Sequence, residues 1–116
     1  MKKYLLIMQH SPYKNSLAAE ALEFALALSA FNQQVSLLFV GEGILQLLAQ
    51  QEPETIAYKN FTKVYEGLSL FDINDVYVSQ DSMQQHASAN LLIQPQMVDA
   101  VKIAELITAH DIVLTL

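Results

Sequence analysis

At 116 residues, 53% of them hydrophobic and 16% charged, the chain is long enough to bury one core, and its surplus of apolar residues points to surface that meets a partner. A net charge of −6, with six basic residues against twelve acidic ones, leaves little material for a basic patch and argues against nucleic-acid binding by this chain alone. The absence of cysteine excludes disulfides, thiolate nucleophiles and thiolate metal sites, and suits a reducing, cytoplasmic setting.

Tyr4-Leu5-Leu6-Ile7-Met8 is a continuous apolar run behind Lys2-Lys3. It is too short for the core of a signal peptide and is ended by Gln9-His10. No apolar stretch approaches the roughly 20 residues of a membrane-spanning helix. Continuous short runs suit strands covered on both faces, as in parallel sheets. Val35 to Val40 reads the same way, and Val76-Tyr77-Val78 and Ile112-Val113-Leu114 are short and β-rich. Leu91-Leu92-Ile93 is a fifth, weaker strand candidate, closed by Gln94-Pro95.

Helical patterns separate these runs. Leu17 to Phe31 is rich in Ala, Leu and Glu, with Ser16 as its expected N-cap and Asn32-Gln33-Gln34 as its end. Ile44 to Ala49 offers one short apolar turn, stopped by Pro53, and Gln50 to Asn60 is polar and looser. Phe61, Val64, Tyr65 and Leu68 mark one helical face, and Met97 to Ala109 predicts a helix with a polar stripe of Asp99, Lys102, Glu105 and Thr108. Strands alternating with helices predict an α/β fold over residues 1–116: a single domain with a mainly parallel sheet of about five strands and helices on both faces.

On a helical wheel, Leu17, Ala21, Phe24, Leu28 and Phe31 share the face expected to meet the sheet. Leu22 and Leu26 point the other way, so the first helix is apolar nearly all round and should be covered twice. Leu22 and Leu26 are therefore the expected subunit interface, the alternative being another helix of the same domain.

Ligands of open α/β sheets gather at the carboxyl ends of the strands, here Gln9 to Asn15, Gly41 to Gly43 and Ser79 to Ser82. His10-Ser11 is a conceivable catalytic pair, but without an acidic orienter nearby it reads as a connecting loop. Gly41-Glu42-Gly43 has neither phosphate-loop spacing and reads as a tight turn. His86 and His110 lack a second ligand at metal spacing, and Ser79 and Ser82 lack a base. No catalytic residue, metal site or cofactor is expected.

Three segments carry a resemblance: Gly43-Ile44-Leu45-Gln46-Leu47-Leu48 with Gln51 and Pro53; Phe61 through Leu68-Ser69-Leu70-Phe71-Asp72-Ile73 into Asp75-Val76-Tyr77-Val78; and Asp111-Ile112-Val113-Leu114. In order, spacing and overall length the chain resembles the TusC (DsrF-like) family of the DsrE-like sulfur-relay superfamily. The resemblance implies a non-catalytic subunit that assembles with TusB-like and TusD-like subunits in a dimer of heterotrimers. That complex relays persulfide sulfur towards 2-thiouridine at the tRNA wobble position. The family's working cysteine lies on the TusD-like subunit shortly after its third strand, and the corresponding stretch here, about Tyr77 to Ser82, has none. A stand-alone α/β enzyme or small-ligand binder using a pocket near His10, Ser11 and Ser79, and a homo-oligomeric DsrE-like protein, remain as alternatives.

Overall fold

The computed structural model describes residues 1–12, 16–48, 61–86 and 90–116. The expected loose region, Gln50 to Asn60, lies outside them. Five strands, β1 (Lys3–Met8), β2 (Gln34–Phe39), β3 (Asp75–Ser79), β4 (Gln96–Val98) and β5 (Ile112–Thr115), form one sheet in the order β4-β3-β2-β1-β5. Every pairing is parallel. Among the described residues there are three helices, α1 (Leu17–Ala30), α2 (Gln80–Met83) and α3 (Ala100–Ala109), and 3₁₀ segments at Gly41–Leu47, Phe61–Phe71 and Gln84–His86.

The period of two along each strand divides the sheet into two cores. Leu6 and Met8 of β1, Val35, Leu37 and Phe39 of β2 and Val78 of β3 face one side, where Ala21, Leu22 and Ala25 of α1 and Ile44, Leu47, Tyr65 and Leu68 of the 3₁₀ segments cover them. Leu5 of β1, Leu38 of β2 and Val98 of β4 face the other, where Leu106 and Ile103 of α3 cover them. The two-sided burial explains why these strands read as unbroken apolar runs. The predicted face of Val64, Tyr65 and Leu68 also turns inward; the Phe61 side chain lies outside those described.

Three expectations are corrected. The fourth strand is Gln96–Val98, not Leu91-Leu92-Ile93, of which only Leu91 joins an isolated antiparallel bridge to Leu48. Helix α3 consequently starts at Ala100 rather than Met97, because the Asp99 carboxylate accepts from the Lys102 amide at 2.9 Å and fixes the first turn there. Ser16 stands at the N-cap of α1 without a side-chain cap bond; its hydroxyl donates to Glu20 Oε1 at 3.2 Å instead.

A further correction concerns which face of α1 meets the sheet. Ala18, Ala21, Leu22 and Ala25 are buried, with Leu22 only 3% exposed and Leu26 half-buried against the same core. Leu17, Phe24 and Phe31 face outward, Phe31 at 77%. Leu22 is thus covered by the domain itself rather than held for a partner, and Leu26 is covered in part. The physical reason is distance: an alanine-lined stripe lets α1 sit close to β1 and β2, whereas Phe24 at the contact would hold it away.

The carboxyl ends of the strands are drawn together by backbone. The Val40 amide donates to the Met8 carbonyl at 3.1 Å. Gly43 lies so close that a Cβ there would stand 2.0 Å from the Met8 carbonyl oxygen. Gly41 takes a positive φ of 53° at the same turn, a conformation glycine adopts at little cost.

Two stability measurements check this arrangement. Leu22→Ala should cost about 2–4 kcal/mol in urea unfolding, as expected for a core leucine, while Phe31→Ser should stay within about 0.5 kcal/mol; comparable losses would mean the helix is turned the other way. Gly43→Ala should cost about 1–3 kcal/mol, because a methyl group there meets backbone rather than a side chain that could rotate away. An unchanged unfolding midpoint would contradict that contact.

Candidate functional site

Beyond β1 the chain passes through Gln9, whose amide donates to the Leu116 carbonyl at 3.1 Å. The next carbonyl, that of His10, accepts from Gln46 Nε2 at 2.8 Å. Gln46 is itself buried, and its Oε1 accepts from the Tyr65 hydroxyl. Tyr65 stands edge-on to Phe39, with ring centroids 5.4 Å apart and an interplanar angle of 83°. Burial pushes the Tyr65 phenol far above its ordinary pKa, so it stays protonated and serves as a donor. This polar chain pins the exit of β1 to the 3₁₀ segments and spares the His10 carbonyl and the Gln46 amide an unsatisfied burial.

At the exit of β3, Ser79 caps α2, its hydroxyl accepting from the Ser82 amide at 3.4 Å. The Ser82 hydroxyl in turn accepts from the Gly41 amide at 2.9 Å. The exits of β1, β2 and β3 are therefore tied directly to one another. Both serine hydroxyls are held as acceptors of backbone amides in a turn, which is a structural use of these side chains.

Among the described residues, the crevice that His10 lines includes neither Ser11 nor Ser79. His10 shares this crevice of about 280 Å³ with Leu17, Glu20, Ala21 and Phe24 of α1 and Thr115 and Leu116 at the end of the chain. Ser11 is buried, and Ser79 belongs to the β3 exit. His110 is half-buried. Its Nδ1 donates to the Leu106 carbonyl at 2.7 Å, and its Nε2 lies 3.1 Å from the Ser36 hydroxyl of β2. The ring thereby ties the end of α3 to the second face of the sheet. Tyr77 lies on that face, and burial, with a contribution from the Asp75 carboxylate, raises its phenol above the ordinary value.

Among the described residues no group of three or more His, Cys, Asp or Glu side chains could hold a metal ion, and no helix is long and apolar enough to cross a membrane. His86 closes a 3₁₀ turn, and its side chain lies outside those described. The residues that organise the strand ends, Gln46 and Tyr65, are not among the sequence candidates. Their signal is a glutamine alone in the apolar run Ile44-Leu45-Gln46-Leu47-Leu48, the mark of a buried polar group with a fixed partner.

The chain was compared with known proteins. The DsrE/DsrF-like family model matches residues 2–116. A protein named "Protein TusC homolog" from Vibrio vulnificus (strain YJ016) is 34% identical over 105 residues, covering 89% of both chains. "Protein TusC" from Buchnera aphidicola subsp. Acyrthosiphon pisum (strain APS) is 33% identical over 90 residues, covering 78% of this chain and 76% of its own. The crystal structure of the ychN protein from E. coli superposes with a TM-score of 0.84 at 20% identity over the whole of both chains, a likeness of fold. With a family match spanning nearly its whole length, the chain belongs to the DsrE/DsrF-like family.

Proposed function

We propose that this chain is a non-catalytic structural subunit of a TusBCD-like heteromeric sulfur relay, acting in the cytoplasm in 2-thiouridine formation at the tRNA wobble position. One observation carries the reading: relatives named TusC match most of the chain, and the chain has no cysteine. In the family the persulfide-bearing cysteine follows the third strand of the TusD-like subunit. Here that stretch is about Tyr77 to Ser82, in which the Ser79 and Ser82 hydroxyls accept from backbone amides of the turn. A hydroxyl cannot hold sulfane sulfur, and the only other sulfur chemistry in the chain is that of four methionine thioethers, which have no thiolate form. The role left to the chain is to shape and complete an assembly with TusB-like and TusD-like subunits in a dimer of heterotrimers.

A stand-alone ligand-binding role at the strand ends finds less support. The exits of β1, β2 and β3 bind one another, and the His10 crevice holds neither Ser11 nor Ser79.

Incubation of the isolated chain with a labelled persulfide donor, followed by denaturing mass measurement, should leave its mass unchanged, whereas a TusD-like partner in the same tube should gain sulfur. Stable covalent sulfur on this chain would contradict the reading. Contact with tRNA should likewise need the partners. All six basic residues are lysines, set against twelve acids, so the isolated chain should show little or no binding to tRNA at physiological salt in a filter or fluorescence titration. Tight binding that weakens steeply with salt would count against a purely architectural role.

A further inference from the structure

The outer edge of β5 and the flank of α1 above it form a surface that the domain leaves unfinished. β5 ends the sheet on one side, and among the described residues nothing pairs with its outer edge. The chain reaches β5 through α3, which lies on the second face, so β5 receives no helix of its own on the first. There the flank of α1 meets the end of β5 with Leu17, Glu20, Ala21 and Phe24, leaving the crevice of about 280 Å³. Leu17 and Phe24 are 43% and 40% exposed, large apolar groups beside half-buried Leu114 and Leu116.

The strand itself carries neither of two residue types that commonly keep an edge from adding a partner. Ile112-Val113-Leu114-Thr115 has no proline and no lysine. The opposite edge, β4, is three residues long and follows Pro95 directly. On β5 the Leu116 amide turns inward to the Ile7 carbonyl at 2.8 Å. The alternation of a strand therefore turns the amides of Thr115 and Val113 outward.

Charge selects the occupant. Glu20 lines the crevice and Glu23 is exposed on the same helix, with no lysine among the described residues of the lining. A second copy paired edge to edge would set its own Glu20 and Glu23 against these, on a chain that already carries −6. We propose that an extended apolar segment of a different chain, flanked by lysine or arginine, adds to β5 as a sixth strand with side chains entering the crevice beside Leu17 and Phe24. The proposal rests on the heteromeric role above and names the surface through which it is exercised.

The test uses the full chain co-expressed with the TusB-like and TusD-like proteins of its own organism. Assembly is followed by native mass measurement and β5 by amide hydrogen exchange. Thr115→Pro removes one outward amide and leaves the ladder to β1 intact, and Phe24→Lys puts a like charge where the partner's base is expected. In the assembled wild type the Val113 and Thr115 amides should exchange at least tenfold more slowly than in the isolated chain. Each variant should weaken assembly at least tenfold, and Phe24→Lys, at an exposed helical position, should do so without lowering the melting temperature of the isolated chain. Amides that exchange equally fast in both states overturn the strand addition while leaving the heteromeric role standing. Failure of the wild type to join either partner removes that role and the proposal with it. A dimer of the chain alone that Thr115→Pro breaks would seat a second copy on the edge, which also overturns it.

Discussion

β1 is the strand on which the rest of this structure is built. It pairs with β2 on one side and β5 on the other, in register along nearly its whole length. Its residues alternate between two cores, with Leu6 and Met8 on one face and Leu5 on the other, all fully buried. β2 shares this position, joining β1 and β3 and feeding both cores through Leu37 and Leu38. The exit of β1 is held just as firmly: the Met8 carbonyl accepts from Val40 and sits against Gly43, and the His10 carbonyl accepts from Gln46.

The consequence is a rigid upper rim. In many open α/β sheets the strand ends spread to make room for a ligand. Here Gln46, Tyr65, Ser79 and Ser82 use their polar atoms on neighbouring turns of the same rim. A rim whose hydrogen-bonding groups serve its own backbone offers few of them to a substrate. That agrees with a chain that has no cysteine, and it moves the search for function to the sides of the sheet.

The sides are where the chain is asymmetric. The first face has α1 and two 3₁₀ segments over it, while the second is covered by the ten residues of α3. α3 keeps Leu106 inside and leaves Val101 70% exposed, and Leu17, Phe24 and Phe31 follow one another at seven-residue spacing along the outside of α1. An apolar content of 53% in a chain this small thus resolves into particular places on two helices and one strand edge. A chain of this kind gains most from neighbours that cover those places.

The sequence alone determined the fold class and the three strands β1, β2 and β3 together with β5, because strands buried on both faces leave continuous apolar runs that need no context to be recognised. It also determined that this chain cannot carry sulfur on a thiolate. Two decisions belonged to the tertiary structure. Gln96-Met97-Val98 is too short and too mixed to announce a strand, and it becomes one because the Ser79 end of β3 offers it a partner and Asp99 delays the helix behind it. The orientation of α1 was decided by close packing: counting apolar size favours Leu17, Phe24 and Phe31 at the sheet, but only the small side chains of Ala18, Ala21 and Ala25 allow helix and sheet to approach, and Leu22 enters the core with them. Periodicity tells which residues share a face of a helix; the distance between two packed surfaces decides which face is turned inward.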